Sequence, residues 1–180
     1  HWTPNYRIGQ QSKAAPALAF CNGVLNIAHL GARTNELWHS MYRGGHWSEA
    51  DRIDQQSTRA PALACDADDV LHMVHLGITS NDLWHSTFGR GKWSQNEQVR
   101  QQSKATPALT YCNGALHLAR LDARSNELWH STYSHGHWSP NRRIGQQSRA
   151  APALACGADD TLYLAHLDDS SSQLWYSTYR

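Results

Sequence analysis

The chain has no apolar run approaching the roughly 18 residues that cross a bilayer, so no membrane insertion is expected. Charge of one sign is missing too. Its 16 Lys and Arg stand against 15 Asp and Glu, a formal net charge of +1, and no field exists to gather nucleic acid or an anionic membrane surface. No Cys-x-x-Cys suggests a metal or redox centre, and no Gly-x-Ser-x-Gly suggests a hydrolase nucleophile. No segment keeps apolar residues at i, i+3, i+4 and i+7 for the length a helix needs, so helix content near zero is expected. Histidine is what the chain has in number: its 12 copies would add positive charge near pH 6. The first residue is His1 and not Met, which points to a processed N-terminus and makes secretion the expected localisation, with the cytoplasm as the alternative.

Four copies of one unit fill the sequence. Gln-Gln-Ser stands at 10–12, 55–57, 101–103 and 146–148, and Pro-Ala-Leu follows each at Pro16, Pro61, Pro107 and Pro152. A Leu-Trp pair recurs at Leu37-Trp38, Leu83-Trp84, Leu128-Trp129 and Leu174-Trp175, and another Trp opens each unit at Trp2, Trp47, Trp93 and Trp138. A period of about 45 residues with Trp at fixed places points to solenoids or propellers. Nothing between the copies reads as a linker, so residues 1–180 are one domain of four repeats, 1–45, 46–91, 92–136 and 137–180.

Within the fourth copy, Ala153 to Cys156 is a short apolar run, Gly157 to Asp160 a turn, and Thr161 to Leu167 alternates as a strand does. A polar loop at Asp168–Ser172 leads into Gln173–Tyr179, rich in aromatic and β-branched residues. The Trp-Ser segment supplies a fourth strand. Copies one and three share Cys-Asn-Gly, whereas copies two and four share a longer turn (Asp66 to Asp69, Gly157 to Asp160), as if a two-unit piece had been duplicated. Four four-stranded units around an axis make an all-β, four-bladed β-propeller, and the strand at Trp2-Thr3-Pro4-Asn5 is expected to complete the last blade and close the ring. An open half-ring that pairs with a second copy is the alternative, so a homo-oligomer stays in play.

Ser-x-Tyr/Phe-x-x-Gly-x-Trp recurs at Ser40 to Trp47, Ser86 to Trp93 and Ser131 to Trp138. It resembles the Asp-box hairpin of sialidase-type propellers, with Tyr42, Phe88 and Tyr133 in place of the box aspartate and the Gly one place later. The whole unit, Trp-Ser, Ala-Pro-Ala-Leu, a hairpin, then Leu-Trp-His/Tyr-Ser, is similar to blades of bacterial and fungal propeller lectins. That resemblance implies sugar binding at several similar sites, with glycans or glycoconjugates on cell surfaces as partners.

The candidate sites lie on the loops joining strand two to strand three and strand four to the next strand one. Sugar recognition needs an aromatic plate for the C–H face of the ring and planar amides or carboxylates for vicinal hydroxyls. Copy one offers Gln11, Asn35, Glu36, Trp38 and His39; copy two Gln56, Asn81, Asp82, Trp84 and His85. Copy three offers Gln102, Asn126, Glu127, Trp129 and His130, and copy four Gln147, Gln173, Trp175 and Tyr176. Because copy four has Ser172, Gln173 and Tyr176 where the others have Asn, an acid and His, its site is expected to be the weak one. The competing reading of the Gln-Gln-Ser triplets is that they satisfy backbone groups where blades join. Trp47, Trp93 and Trp138 are expected to pack. In each Leu-Trp-His run the Trp and the His point to opposite faces, one meeting ligand and the other packing, and the sequence does not choose between them.

His29, His75 and His166, with Arg120 in the same slot, are expected to be satisfied buried residues, and His135-Gly136-His137 is not repeated, so no metal or cofactor is expected. The four Cys fall in two slots one residue apart, on opposite strand faces. Small buried thiols are the expectation, a disulfide pairing the alternative. An enzyme on such a ring needs an asymmetric site with an acid and a base in different environments. The copies differ little, and an arginine cluster at Arg7, Arg52 and Arg143 is broken by Gln98, so catalysis is not expected. The function read from the sequence is a multivalent lectin; the alternative is a protein-interaction propeller.

Overall fold

A computed structural model describes residues 1–180, and it is all-β with no helix, its strands forming four antiparallel sheets, one per repeat. Blade 1 holds β1 (Ala17–Cys21), β2 (Val24–Leu30), β3 (Glu36–Arg43), the two-residue β4 (His46–Trp47) and β5 (Asp51–Gln56), with β4 and β5 both paired to β3. Blade 2 repeats the plan with β6 (Ala62–Cys65), β7 (Leu71–Leu76), β8 (Asp82–Gly89), β9 (Lys92–Trp93) and β10 (Glu97–Gln102). Blade 3 follows with β11 (Ala108–Cys112), β12 (Ala115–Leu121), β13 (Glu127–Ser134), β14 (His137–Trp138) and β15 (Arg142–Gln147). Blade 4 has three strands, β16 (Ala153–Cys156), β17 (Leu162–Leu167) and β18 (Leu174–Tyr179). The four-bladed propeller expected from the sequence is present.

Local chemistry fixes the register. Asn22-Gly23 joins β1 to β2 with φ of 50° and 70°, the left-handed pair that a two-residue hairpin requires and that Asn-Gly supplies at little cost. The Ser after each opening Trp ties the next hairpin: Ser48 Oγ accepts from Met41 N at 3.1 Å, Ser94 Oγ from Thr87 N at 3.0 Å and Ser139 Oγ from Thr132 N at 2.9 Å. The fourth strand carries a bulge, with Asp54 and Arg100 at φ 60° and Gly145 at φ 81°, and the register against strand three shifts there. Two extra residues are taken up there, and beyond them ordinary strand alternation puts the two successive Gln on opposite sides.

The core lies between blades. Leu37, Leu83 and Leu128 of the third strands are fully buried against the next blade's first-strand Leu63, Leu109 and Leu154. Trp93 and Trp138 pack at the same junctions, Trp93 edge-on to His39 and Trp138 edge-on to His85. The small/large alternation of Ala and Leu lets each sheet seat closely on the next.

Two features differ from the sequence reading. Cys21–Cys65 and Cys112–Cys156 are disulfides and no free cysteine remains, so buried thiols are corrected to bridges. The one-residue offset between the two Cys slots is the reason: Cys21 faces forward and Cys65 backward, which is what a bond across a blade junction needs. Ring closure is the second. β1 packs on β6, β6 on β11 and β11 on β16, but β18 has no strand on its outer side, and no strand forms before β1. The first-strand Leu18 and the third-strand Leu174 stay exposed, so blades 1 and 4 are not packed on each other. The N-terminal segment therefore stays beside blade 1, where Gln10 Nε2 donates to Ser40 Oγ, and does not reach blade 4.

The second-strand series is buried, as satisfied core residues should be, with one exception. His75 Nδ1 donates to Leu76 O at 3.0 Å, and its Nε2 lies 3.1 Å from the Asn96 side-chain amide. His29 Nε2 has no partner, because Ala50 stands where blade 2 has Asn96. Ala50→Asn is expected to supply the missing side-chain amide partner and stabilise the fold by about 1 kcal/mol in urea unfolding; an unchanged midpoint would sink that assignment.

Candidate functional site

The loop face at the β2–β3, β7–β8 and β12–β13 connections gathers one polar cluster per blade. In blade 1 the register sets Glu36 opposite Gln56 and Trp38 opposite Arg52. Arg52 Nη1 reaches Glu36 Oε1 at 3.2 Å and Arg52 Nη2 reaches Asp54 Oδ1 at 2.8 Å. Thr34 Oγ1 donates to Glu36 Oε2 at 3.3 Å, and Lys13 Nζ donates to Asn35 Oδ1 at 2.6 Å. Blade 3 repeats this: Glu127 faces Gln147 and pairs with Arg143, while Lys104 Nζ donates to Asn126 Oδ1 at 2.6 Å. Blade 2 has Gln98 in the slot of Arg52 and Arg143, so its acid has no arginine opposite. There Gln102 Nε2 donates to Asp82 Oδ1 at 2.9 Å and Ser80 Oγ to Asp82 Oδ2 at 2.7 Å. Those two bonds, Ser80 first, hold the Asp82 carboxyl below its ordinary range, so it is an anion at neutral pH.

The Gln-Gln-Ser triplets divide between the two readings of them. Gln55, Gln101 and Gln146 turn inward and bond the third-strand Ser of the following blade; Ser86 Oγ donates to Gln55 Oε1 at 3.1 Å, and Gln101 Nε2 to Ser131 Oγ at 2.9 Å. Ser57, Ser103 and Ser148 are buried and bond the backbone two residues on. The second Gln of each triplet, Gln56, Gln102 and Gln147, is exposed. These three join the clusters of blades 1, 2 and 3, so each acid meets the Gln of the following triplet. Gln11 is exposed with no acid opposite it, and Gln173 has no fourth strand facing it.

The choice between Trp and His is settled by the junctions. His39 and His85 are 1% and 2% exposed, and His130 is partly buried with its ring 5.3 Å from Tyr179. His39 Nε2 donates to Asn26 Oδ1 at 2.9 Å; His85 and His130 pair with His72 and His117 at 2.9 Å. All three belong to blade packing and leave the candidate ligand set, since the strand alternation that exposes the Trp turns them inward. Burial, the leading cause, pushes their pKa down to about 4, 3 and 4, so they carry no charge near pH 6. Tyr176, in the same slot of blade 4, is exposed only because no blade follows.

Trp38, Trp84 and Trp129 lie half-buried on the loop face. A Cβ on Gly31 would stand 3.1 Å from Trp38 Nε1, and one on Gly77 3.0 Å from Trp84 Nε1, so these rings lie against the loop backbone. Trp129 is flanked by Arg120 and Arg143, whose guanidinium carbons are 5.6 and 5.9 Å from the ring centroid. The tryptophans thus back the polar clusters rather than stand free as plates. Trp175 is more open and lines a concavity of about 340 Å³ with Gln147, His166, Asp168 and Asp169.

The sequence reading missed one concavity. A groove of about 600 Å³ lies on the opposite face between blades 1 and 2, lined by Asn26, Met41, Arg43, His46, Asp69 and Arg90 among others. Asn26 occupies the slot of His72 and His117, and that smaller side chain is the signal the sequence held.

No family model and no curated protein matches the chain by sequence. Solved structures share its fold. An α-L-arabinofuranosidase from Podospora anserina in complex with cellotriose superposes with a TM-score of 0.62 at 13% identity, covering 98% of this chain and 66% of that one. The Aleuria aurantia lectin in complex with Fucα1-6GlcNAc gives 0.63 at 12% identity, over 87% of this chain and 54% of that one. A β-xylosidase gives 0.64 at 11% identity, over 97% and 74%. The chain thus spans between about half and three quarters of the length of these proteins. The expectation that catalysis is ruled out is overturned here: proteins of this fold include glycosidases as well as a lectin, so near-symmetry of the copies excludes neither activity.

Proposed function

We propose that the chain is a multivalent carbohydrate-binding protein of lectin type, whose sites are the loop-face clusters of blades 1, 2 and 3. The observation that carries this reading is the strand register, which sets Glu36, Asp82 and Glu127 opposite Gln56, Gln102 and Gln147. A carboxylate accepting and a primary amide both donating and accepting form the complement of two vicinal hydroxyls. Asn35, Asn81 and Asn126 stand next to the acids, and the half-buried Trp edges border the clusters. Three shallow sites on one rigid face gain from one another through high effective concentration when a surface offers many copies of a glycan. Blade 4, with Gln173 in the acid slot and no strand facing it, is the weak member. Two disulfides suit an oxidising compartment, and we place the protein outside the cytosol, with surface glycoconjugates as its partners.

A glycan array tests this directly, followed by calorimetry with the best hit and an assay for newly released reducing ends. Binding to a defined sugar class is the expected result; silence across the array, with only a protein partner captured, would move the function to the interaction-scaffold reading. Glu36→Gln and Glu127→Gln each remove a charge-assisted acceptor worth about 1.5–3 kcal/mol. Each variant should therefore weaken its own site about 10- to 100-fold and leave the apparent number of strong sites one lower.

A further inference from the structure

We propose that the groove between blades 1 and 2 is a second binding site, for a sugar unit that carries one anionic group, a carboxylate or a sulfate. It shares no residue with the loop-face clusters and lies on the other face of the molecule. Both walls belong to an internal junction: Asn26, Arg43 and His46 come from blade 1, and Asp69, Phe88 and Arg90 from blade 2. Its volume of about 600 Å³ falls within the range of about 300–1,000 Å³ that small-ligand sites occupy.

The neighbouring junctions show that a ring belongs in this space. Asn26, His72 and His117 fill one slot in successive blades. The imidazole of His72 stacks on His85 and stands edge-on to Tyr133 of the next blade, and His117 is placed in the same way between His130 and Tyr179. At the first junction both flanking groups are present, with His39 and Phe88 4.6 Å apart between ring centroids, but the ring between hairpin and blade is replaced by a side chain that stops short. Asn26 is 3% exposed. Its Oδ1 accepts from His39 Nε2 at 2.9 Å and its Nδ2 donates to Val24 O at 2.9 Å, which leaves the second amide hydrogen uncommitted. A sugar ring seated there sets its C–H face against Phe88 where the other junctions set an imidazole against Tyr.

The charges of the groove select the substituent. Neither Arg43 nor Arg90 has an acid within ion-pair distance. Asp69 is the one carboxylate in the groove, and its Oδ1 accepts from Asn22 N at 3.1 Å. Two guanidinium groups against one carboxylate leave a net positive charge, and a guanidinium offers an oxyanion paired N–H donors. Arg90 also stands where its backbone is disfavoured: it holds φ 53° at the turn position that blade 1 fills with Gly44 at φ 57°. A strained position whose side chain the fold does not use is available to a ligand. Asp69 in turn limits what that ligand is. Its Oδ2 calls for hydroxyl donors, which an aromatic acid lacks, and it repels a ligand charged on every side. A sugar with a single acidic substituent supplies the anion and the hydroxyls together.

Nitrogen-15 NMR titrations with glucuronate and with glucose 6-sulfate test this, with glucose as the neutral counterpart and sodium acetate and sodium sulfate as bare anions. The Asn26 side-chain amide and the backbone amides of Arg90 and Gly91 are expected to move with a charged sugar, and whichever of the two moves them more names the anionic group. Glucose and the bare anions should act at least about tenfold more weakly, the loss of one charge-assisted contact. Asn26→His should abolish the response with the fold unchanged, because His117 follows the same Cys-Asn-Gly turn and bonds Cys112 O at 3.1 Å. Arg90→Gly, which suits the backbone, should weaken binding about tenfold or more. The side-chain amides of Gln56, Gln102 and Gln147 in the same spectra report the loop face separately, so either site can fail without the other. An equal response to acetate or sulfate, an adventitious ion only, would overturn the proposal. So would silence with both charged sugars, or binding that survives Asn26→His.

Discussion

Reduction of the two disulfides is expected to unfold the protein at body temperature. Each bridge joins residues 44 apart and links two blades, Cys21–Cys65 across the first junction and Cys112–Cys156 across the third. Closing a loop of that length removes unfolded-state entropy worth about 4 kcal/mol per bridge on the chain-entropy model. Two bridges together approach the whole stability of an ordinary domain, about 5–15 kcal/mol. Removing one pair, by Cys21→Ala with Cys65→Ala, should lower the melting temperature by about 8–16 °C for a chain of this size. Removing both should leave no cooperative transition near 37 °C. If mass spectrometry confirms four free thiols and melting is unmoved, the bridges contribute nothing and the blade junctions alone hold the arc.

Acid should open the same junctions by a different route. His39 and His85 are neutral in the fold, with burial lowering their pKa to about 4 and about 3, against about 6.5 in the unfolded chain. Because the unfolded state takes up the protons first, stability is complete above pH 6.5 and drains away as the pH falls towards the folded-state values. Each group contributes a slope of about 1.4 kcal/mol per pH unit in that window, so the pair removes about 5 kcal/mol between pH 6.5 and 4.5. Carboxylates with lowered pKa, such as Asp82, act only at more acid pH and do not mimic this limb. Urea midpoints at intervals from pH 7 to 4.5 measure it. A His85→Gln variant should reduce the slope without abolishing it, since His39 and His130 remain, and a flat profile in the parent protein would contradict the burial argument.

The blade plan was legible because every copy repeats Trp, Pro-Ala-Leu and Leu-Trp at one spacing, and strand alternation follows from such spacing. The acid and amide of the candidate site were legible as residue types, but their partnership was not. Glu36 meets Gln56 rather than Gln11, because the fourth strand of a blade comes from the start of the next repeat. The inward turn of His39, His85 and His130 could not be read from Leu-Trp-His alone. It depends on which face of each sheet the neighbouring blade covers, a long-range fact. The disulfides show the same limit: the offset between Cys21 and Cys65 was visible, yet its meaning needed the angle between two sheets. Ring closure failed as an expectation for that reason also. Strand count says how many blades exist, and only side-chain seating says how far each one turns.

Side-chain amide resonances of the glutamines, followed by NMR during titration with the best glycan, test the repeated-site account most directly. The account predicts that the amides of Gln56, Gln102 and Gln147 move together, while those of Gln55 and Gln101, sealed in the junctions, stay still. Movement confined to a single cleft, or to the groove lined by Asn26 and Arg90, would contradict it.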